Sequence, residues 1–295
     1  MYLEPEQITN DVLQHAEILI VRTRTRCDRF LLRNTPVRFI GTATIGTDHI
    51  DLDYCRSQHI TVCNAPGCNA RGVAQYIESA LLQLDVCKGK TIGIIGVGHV
   101  GSLVQQMAQR HGLRTLLYDP PRQRAEGGHQ WTDKLSTIAE QADIITFHTP
   151  LTKKGEDKTF HIADSDFFSQ CKPTAVIINA ARGGIIDETA LLGHASPEMK
   201  IVIDTWENEP HINPGLLQRA DIATPHIAGY SDEGKRNATR MIINQLADYL
   251  HTTVDTSGLL TDSTPLPTYD IMQDDRNFRL QPQAFDFLRE HYFFR

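Results

Sequence analysis

Residues 91–109 read TIGIIGVGHVGSLVQQMAQ, and this stretch decides the fold. An apolar run, "TIGIIG" (91–96), meets a GxGxxG pattern formed by Gly96, Gly98 and Gly101, and a helical repeat follows. Strand, tight turn and helix start are laid end to end. In that order Gly96 permits the turn and Gly98 lets the backbone approach a pyrophosphate. Gly101 allows helix to pack on strand, and the helix start supplies amide donors and a favourable dipole. Three glycines alone can be no more than a turn. Here "RTLLYD" (114–119) follows as a second strand and closes on Asp119. A carboxylate at that point accepts hydrogen bonds from the adenosine ribose and repels a 2′-phosphate, so the expected cofactor is NAD and not NADP. Arg122 and Arg124 in "DPPRQR" are the counter-signal, because guanidinium groups can neutralise a 2′-phosphate.

Outward from this motif, short apolar runs alternate with amphipathic stretches, the pattern of parallel α/β sheets. Upstream lie three expected strands, "EILIVRT" (17–23), "RFIGTAT" (38–44) and "ITVCNA" (60–65). A helix is expected from about Asn69, a good N-cap, to Val86, with Val73, Ile77, Ala80, Leu81 and Leu84 on one face. Downstream come "DIITFHT" (143–149), "AVIINA" (175–180), "KIVIDTW" (200–206) and "DIATPH" (221–226), which bring the strands of the central region to six, the count of a doubly wound dinucleotide fold. A long helix then runs to about His251. "TDSTPLPTYD" (261–270) reads as an extended linker, and the aromatic end "PQAFDFLREHYFFR" (282–295) as a short helix packed on this chain or a neighbour.

Composition narrows the function. The formal charge of −7 argues against nonspecific nucleic-acid binding, and an anionic substrate would need a local basic pocket. The six cysteines have neither CxxC pairing nor metal-ligand spacing, so free thiols in a reducing compartment and no metal are expected. No apolar run approaches the ~20 residues of a membrane span, and the start has no signal-peptide pattern.

Three segments carry chemistry: "NAARGGIID" (179–187), "DTWENEP" (204–210) and "TPHIAGY" (224–230). Each sits at or just past the C-terminal end of a strand, where open α/β sheets bind ligands. Arg182, followed by two glycines, can present its fork to a carboxylate. His226 has the side chain that titrates near neutrality, as a base for a hydroxyl proton should. Glu209 can orient that imidazole and raise its basicity. Singly, each residue is an ordinary surface or structural group. Three complementary groups at neighbouring strand ends of a dinucleotide fold form a candidate centre.

"GIIGVGHVG", "NAARGG", "DTWENEP" and "TPHIAG", in this order over nearly the whole chain, resemble the signatures of the D-isomer-specific 2-hydroxyacid dehydrogenase family. The resemblance implies a catalytic trio of Arg182, Glu209 and His226. It also implies cofactor contacts from His99, Val100, Thr149, Ala180, Asp204 and Gly229, beside the three glycines and Asp119. "GTATIGTDHID", "NAPGCNA", "DPPR", "ITFHTPL", "KTFHIAD" and "HIAGYSDEGK" resemble one branch more closely. That branch oxidises 4-phospho-D-erythronate with NAD in pyridoxal phosphate biosynthesis, and the resemblance implies substrate contacts from Thr23, Thr44 and Tyr230 as well as Arg182.

The implied fold class is α/β, a doubly wound Rossmann NAD-binding domain (67–226) inserted in a smaller flavodoxin-like substrate domain (1–66 and 227–254). Residues 255–295 would form a tail, a reduced dimerisation segment of a cytoplasmic homodimer. Two departures accompany the resemblance. The chain opens shortly before the family's third strand, which is expected to leave "EILIV" as an exposed edge, and the tail is shorter than the branch's dimerisation domain. The alternatives are a dehydrogenase for D-3-phosphoglycerate or another D-2-hydroxy acid, and a non-catalytic NAD(H)-sensing dimer or corepressor. For the phosphate, Arg22, Arg24 and Arg26 in "VRTRTRC" recur at a period of two, sharing a face if on a strand and fanning around a loop if past its end. Arg71, at a helix start, is a further candidate.

Overall fold

The structure, a computed structural model, describes residues 1–259 and 269–292. The linker reading for residues 261–268 and residues 293–295 of the aromatic end lie outside the described residues. The chain divides into two compact units, one of Met1–Asn69 with the segment that begins at Ser231, the other of Ala70–Tyr230 with the C-terminal segment. These divisions fall three and four residues beyond those the sequence suggested.

In the first unit β1 (Ile18–Val21), β2 (Phe39–Thr42) and β3 (Thr61–Cys63) form a parallel sheet in that order. β1 is an edge strand. Leu19 and Val21 point into the core, while Ile18 and Ile20 are 37% and 48% exposed. Helix Asp232–Tyr249, capped by Ser231, packs on β2 so closely that a Cβ on Gly41 would lie 2.5 Å from Ile242 Cγ2. It ends two residues short of His251, which turns into the left-handed region at φ 52.

In the second unit β4 (Thr91–Ile95), β5 (Arg114–Tyr118), β6 (Ile144–Phe147), β7 (Val176–Asn179), β8 (Lys200–Ile203) and β9 (Ile222–Ala223) are all parallel, in the order β5-β4-β6-β7-β8-β9. Alternate residues feed opposite cores: Ile177 packs in one cluster, Val176 and Ile178 in the other. Burial on both faces is why these strands read as continuous apolar runs. The order departs from a simple six-strand reading. The place outside β5, where the doubly wound fold puts a further strand, holds only a bridge between Leu117 and Trp131. Gly127 and Gly128, at φ 65 and 91, turn the chain just before Trp131. The sixth strand lies at the opposite edge instead.

Helix Ala70–Gln83 begins where expected, but Asn69 does not cap it; its buried Oδ1 accepts no hydrogen bond among the described residues. Val73, Ile77, Ala80 and Leu81 are buried as the periodicity requires. Helix Ile271–Leu280 closes the β9 edge. Asp275 accepts from the Ala223 amide at 2.7 Å and is held by Arg279, which also donates to the carbonyls of Leu217 and Ala220. A side chain thereby satisfies an edge amide that would otherwise be open to pairing.

Candidate active site

The glycine loop follows β4. Gly96 has φ 85, and a Cβ there would meet the backbone of His148 and Thr149 at 2.8 Å, so the loops after β4 and β6 touch where the strand order reverses. A Cβ on Gly101 would strike the Gly96 carbonyl oxygen at 2.1 Å. The close approach is therefore to the loop itself as well as to the strand. Gly98 has nothing within 4 Å of its Cβ position, which leaves backbone open at the start of helix His99–Arg110.

Asp119 accepts from the amides of Val97 at 2.7 Å and Arg122 at 3.0 Å, tying the end of β5 to the glycine loop. The two arginines that could have favoured a 2′-phosphate are engaged elsewhere. Arg122 pairs with Glu126 and donates to the Val97 carbonyl, and Arg124 pairs with Asp157 and Glu156. Thr149 presents a buried hydroxyl with no hydrogen-bond partner among the described residues, as does Thr205. An unpartnered polar atom beside an open glycine loop fits a cofactor with hydroxyls and amides. Thr205 carried no sequence signal of its own.

The second part of the site hangs on Asp204, which is fully buried at the end of β8. Its carboxylate accepts from the Thr224 hydroxyl at 2.6 Å and the amides of Ile227 and Ala228 at 2.8 and 3.0 Å, while its carbonyl accepts from the His226 amide at 2.8 Å. Burial pushes the Asp204 carboxyl up, against these donors and the nearby His226. This clamp holds His226 at φ 57, in the left-handed region that a non-glycine residue rarely occupies. The resemblance implies a cofactor contact from Asp204; in the structure its carboxylate also fastens the histidine turn.

His226 Nδ1 meets Glu209 Oε2 at 2.7 Å, and Glu209 Oε1 accepts from the Trp206 amide at 2.8 Å. Burial raises the proton affinity of Glu209, yet the bonds from His226 and Trp206, with Arg289 nearby, hold its carboxyl below the usual range. Arg182 sits on a loop pressed against the same backbone: a Cβ on Gly183 would lie 1.8 Å from the Trp206 carbonyl oxygen. Asn179 donates to the carbonyls of Arg182 and Thr205, and the Arg182 guanidinium donates to Ala181. The structure thus brings Glu209 and His226 into direct contact and seats Arg182 on the adjoining loop. "KTFHIAD" clasps these loops, with His161 bonded to Glu207 at 2.7 Å and its amide to the Gly184 carbonyl.

Of the remaining candidates, Ala180 and Gly229 lie at the ends of β7 and of the histidine turn, and Tyr230 accepts from Arg289 at 3.3 Å. In the first unit the Thr44 hydroxyl is bonded to Thr42 and Gly46, and Thr23 is exposed past the end of β1. The arginine run also falls past that end, in a turn. Arg24 pairs with Glu6 at 2.5 Å and Arg26 faces Asp28 at 3.2 Å, so two of the four phosphate candidates already hold carboxylates. Arg22 is exposed, with its charge felt at the Cys68 thiol. All six cysteines are free. Among the described residues no helix is long and apolar enough to cross a membrane.

Residues 71–228 match the family model described as D-isomer specific 2-hydroxyacid dehydrogenase, NAD binding domain. Over 313 residues the chain is 44% identical to the erythronate-4-phosphate dehydrogenase of Bacteroides thetaiotaomicron, covering 99% of this chain and 89% of that one. The enzyme of that name from Cronobacter sakazakii is 42% identical over 316 residues, covering 97% and 83%. D-lactate dehydrogenase from Aquifex aeolicus, solved with NAD and lactic acid, superposes with a TM-score of 0.66 at 25% identity, covering 83% of this chain and 86% of that one. The NAD+-bound 3-phosphoglycerate dehydrogenase of Entamoeba histolytica shares the fold with a TM-score of 0.71 at 24% identity, covering 85% and 84%.

Proposed function

This chain belongs to the D-isomer specific 2-hydroxyacid dehydrogenase family, and from that premise we propose that it oxidises 4-phospho-D-erythronate to 3-hydroxy-2-oxo-4-phosphooxybutanoate with NAD, a step of pyridoxal phosphate biosynthesis. The observation that carries the chemistry is the 2.7 Å contact between His226 Nδ1 and Glu209. With Nδ1–H donated to the carboxylate, Nε2 keeps its lone pair for the substrate. Arg182 binds the substrate carboxylate and polarises the reacting oxygen. His226 takes the C2 hydroxyl proton, Glu209 steadies the resulting imidazolium, and the proton leaves later to solvent. NAD, when bound, accepts the hydride from C2. Gly96, Gly98, His99, Val100 and Gly101 would hold its pyrophosphate and Asp119 its ribose, and Thr149 would supply a hydroxyl. NAD should bind at least about tenfold more tightly than NADP, or about 1.4 kcal/mol. Fluorescence titration of both cofactors checks this, and equal affinities would contradict it.

Thr23, Thr44 and Tyr230 contact the substrate, and Arg22, with its neighbours Arg24 and Arg26 committed to Glu6 and Asp28, is the residue of that run left for the phosphate. Losing a charge-assisted contact costs about 1.5–3 kcal/mol. Arg22→Ala should therefore cut kcat/KM for 4-phospho-D-erythronate at least about tenfold and leave erythronate nearly unaffected. Assays of erythronate, 4-phospho-D-erythronate and 3-phosphoglycerate side by side test the substrate. Equal rates with and without phosphate, or a preference for 3-phosphoglycerate, would overturn it. The chain works as a homodimer in this reading, with Leu280 and Phe287 of the C-terminal helices, 76% and 60% exposed, as apolar surface for a second copy; sedimentation as a monomer would count against it.

A further inference from the structure

The C-terminal helix Phe285–Glu290 brings a cation to the histidine–carboxylate pair that no motif announced. Arg289 Nη1 lies 3.9 Å from Glu209 Oε2, the oxygen that His226 Nδ1 approaches at 2.7 Å. Arg289 Nε donates to the Tyr230 hydroxyl at 3.3 Å. The side chain is 25% exposed, so this charge is only partly screened by solvent. Aromatic packing surrounds it on the elements that carry Arg289 and Tyr230. Phe285 stands edge-on to Phe278, which packs on Trp206, and Tyr230 stands edge-on to Tyr292, whose hydroxyl donates to Asp274. A guanidinium free to settle would close on the carboxylate to a bidentate fit near 2.8 Å. This one stands 3.9 Å from the carboxylate while its Nε is bonded to Tyr230.

We propose that Arg289 is a positioning residue for the Glu209–His226 pair, a fixed positive charge 3.9 Å from the carboxylate oxygen that holds the imidazole; it offsets that carboxylate and so favours the neutral base over the imidazolium. This rests on the reading of His226 as the base. Beside Arg182 on the adjoining loop and His161, which is bonded to Glu207, the ionisable groups around the pair are acidic or phenolic. Asp204 lies beneath the histidine turn, Glu188 feels the charges of Glu209, Glu207 and Asp187, and Tyr230 bonds Arg289 itself. Arg289 is a cation that faces Glu209 from the C-terminal helix, with Asp204 and Glu209 both acting on it.

Arg289→Gln should move the acidic limb of the kcat/KM profile to higher pH by about half a unit to one unit. Glu209→Gln should move it the other way, since the imidazolium then loses its anion. Arg289→Lys should keep the wild-type limb. The same shifts should appear in the NMR titration midpoint of the His226 ring, assigned by the signal lost in His226→Asn. That readout needs no turnover, so an active His226→Asn would refute the base reading while the midpoint still judges Arg289. A superimposable Arg289→Gln midpoint, or an equal shift in Arg289→Lys, would overturn the proposal. So would a tenfold rise in KM for 4-phospho-D-erythronate with the limb unmoved, which would make Arg289 a substrate ligand. Where Arg289→Gln does not accumulate as folded protein, Arg289→Met, which keeps the stem and loses the charge, is read in its place.

Discussion

His226→Asn should lower kcat by about two to four orders of magnitude, the range that a positioned general base contributes, and leave NADH binding within about twofold. The reason lies in where the histidine sits. Its turn hangs from Asp204, and the ring is spent on Glu209 and the substrate side, while the glycine loop and Asp119 are built from other residues. Asparagine tolerates the left-handed φ of 57 better than most residues, so the substitution removes the base without disturbing the turn. Pre-steady-state NADH formation and a fluorescence titration separate the two effects. Turnover within tenfold of the wild type would remove His226 from the chemical step.

Asp275→Ala should destabilise the second unit by about 3–5 kcal/mol, the cost of breaking a buried ion pair from one side. Asp275 is 4% exposed and serves two partners at once, the Ala223 amide on the β9 edge and the Arg279 guanidinium at 2.9 Å. Removing it orphans both, and Arg279 remains pinned to the Leu217 and Ala220 carbonyls with its charge uncompensated. Asp275→Asn keeps an acceptor for the edge amide and should cost less. Both tryptophans, Trp131 and Trp206, lie in this unit, so urea unfolding followed by tryptophan fluorescence reports on it directly. A loss below about 1 kcal/mol would show that the helix Ile271–Leu280 stays on β9 by apolar packing alone.

What the sequence disclosed and what it hid follow from the range of the interactions. Each of the nine expected runs contains a strand, and the runs buried on both faces, β4, β6 and β7, are apolar almost throughout, while Gly96 and Gly101 sit where a Cβ would strike backbone. Strand ends were less legible. The run 221–226 contributes only Ile222–Ala223 to the sheet, because the next residues leave it to form the turn clamped by Asp204. That clamp joins residues more than twenty positions apart through backbone amides, which have no sequence signature. Glu209 and His226 were legible because their chemistry is complementary and each follows a strand. Asp275 and Arg289 were not, since they reach β9 and Glu209 from helices whose sequences carry no motif. Asn69 shows the opposite failure: a residue with the right cap chemistry whose side chain is not used as a cap.

In the proposed reaction hydride leaves C2 of a D-2-hydroxy acid while His226 takes the hydroxyl proton. The most direct measurement uses 4-phospho-D-erythronate carrying deuterium at C2, with NAD and the purified chain, and follows the label by NMR. The account predicts one deuterium on the nicotinamide ring per molecule of substrate oxidised, and a slower rate with the labelled substrate wherever the chemical step limits turnover. Deuterium released to water, or no reduced nicotinamide formed at all, would contradict it.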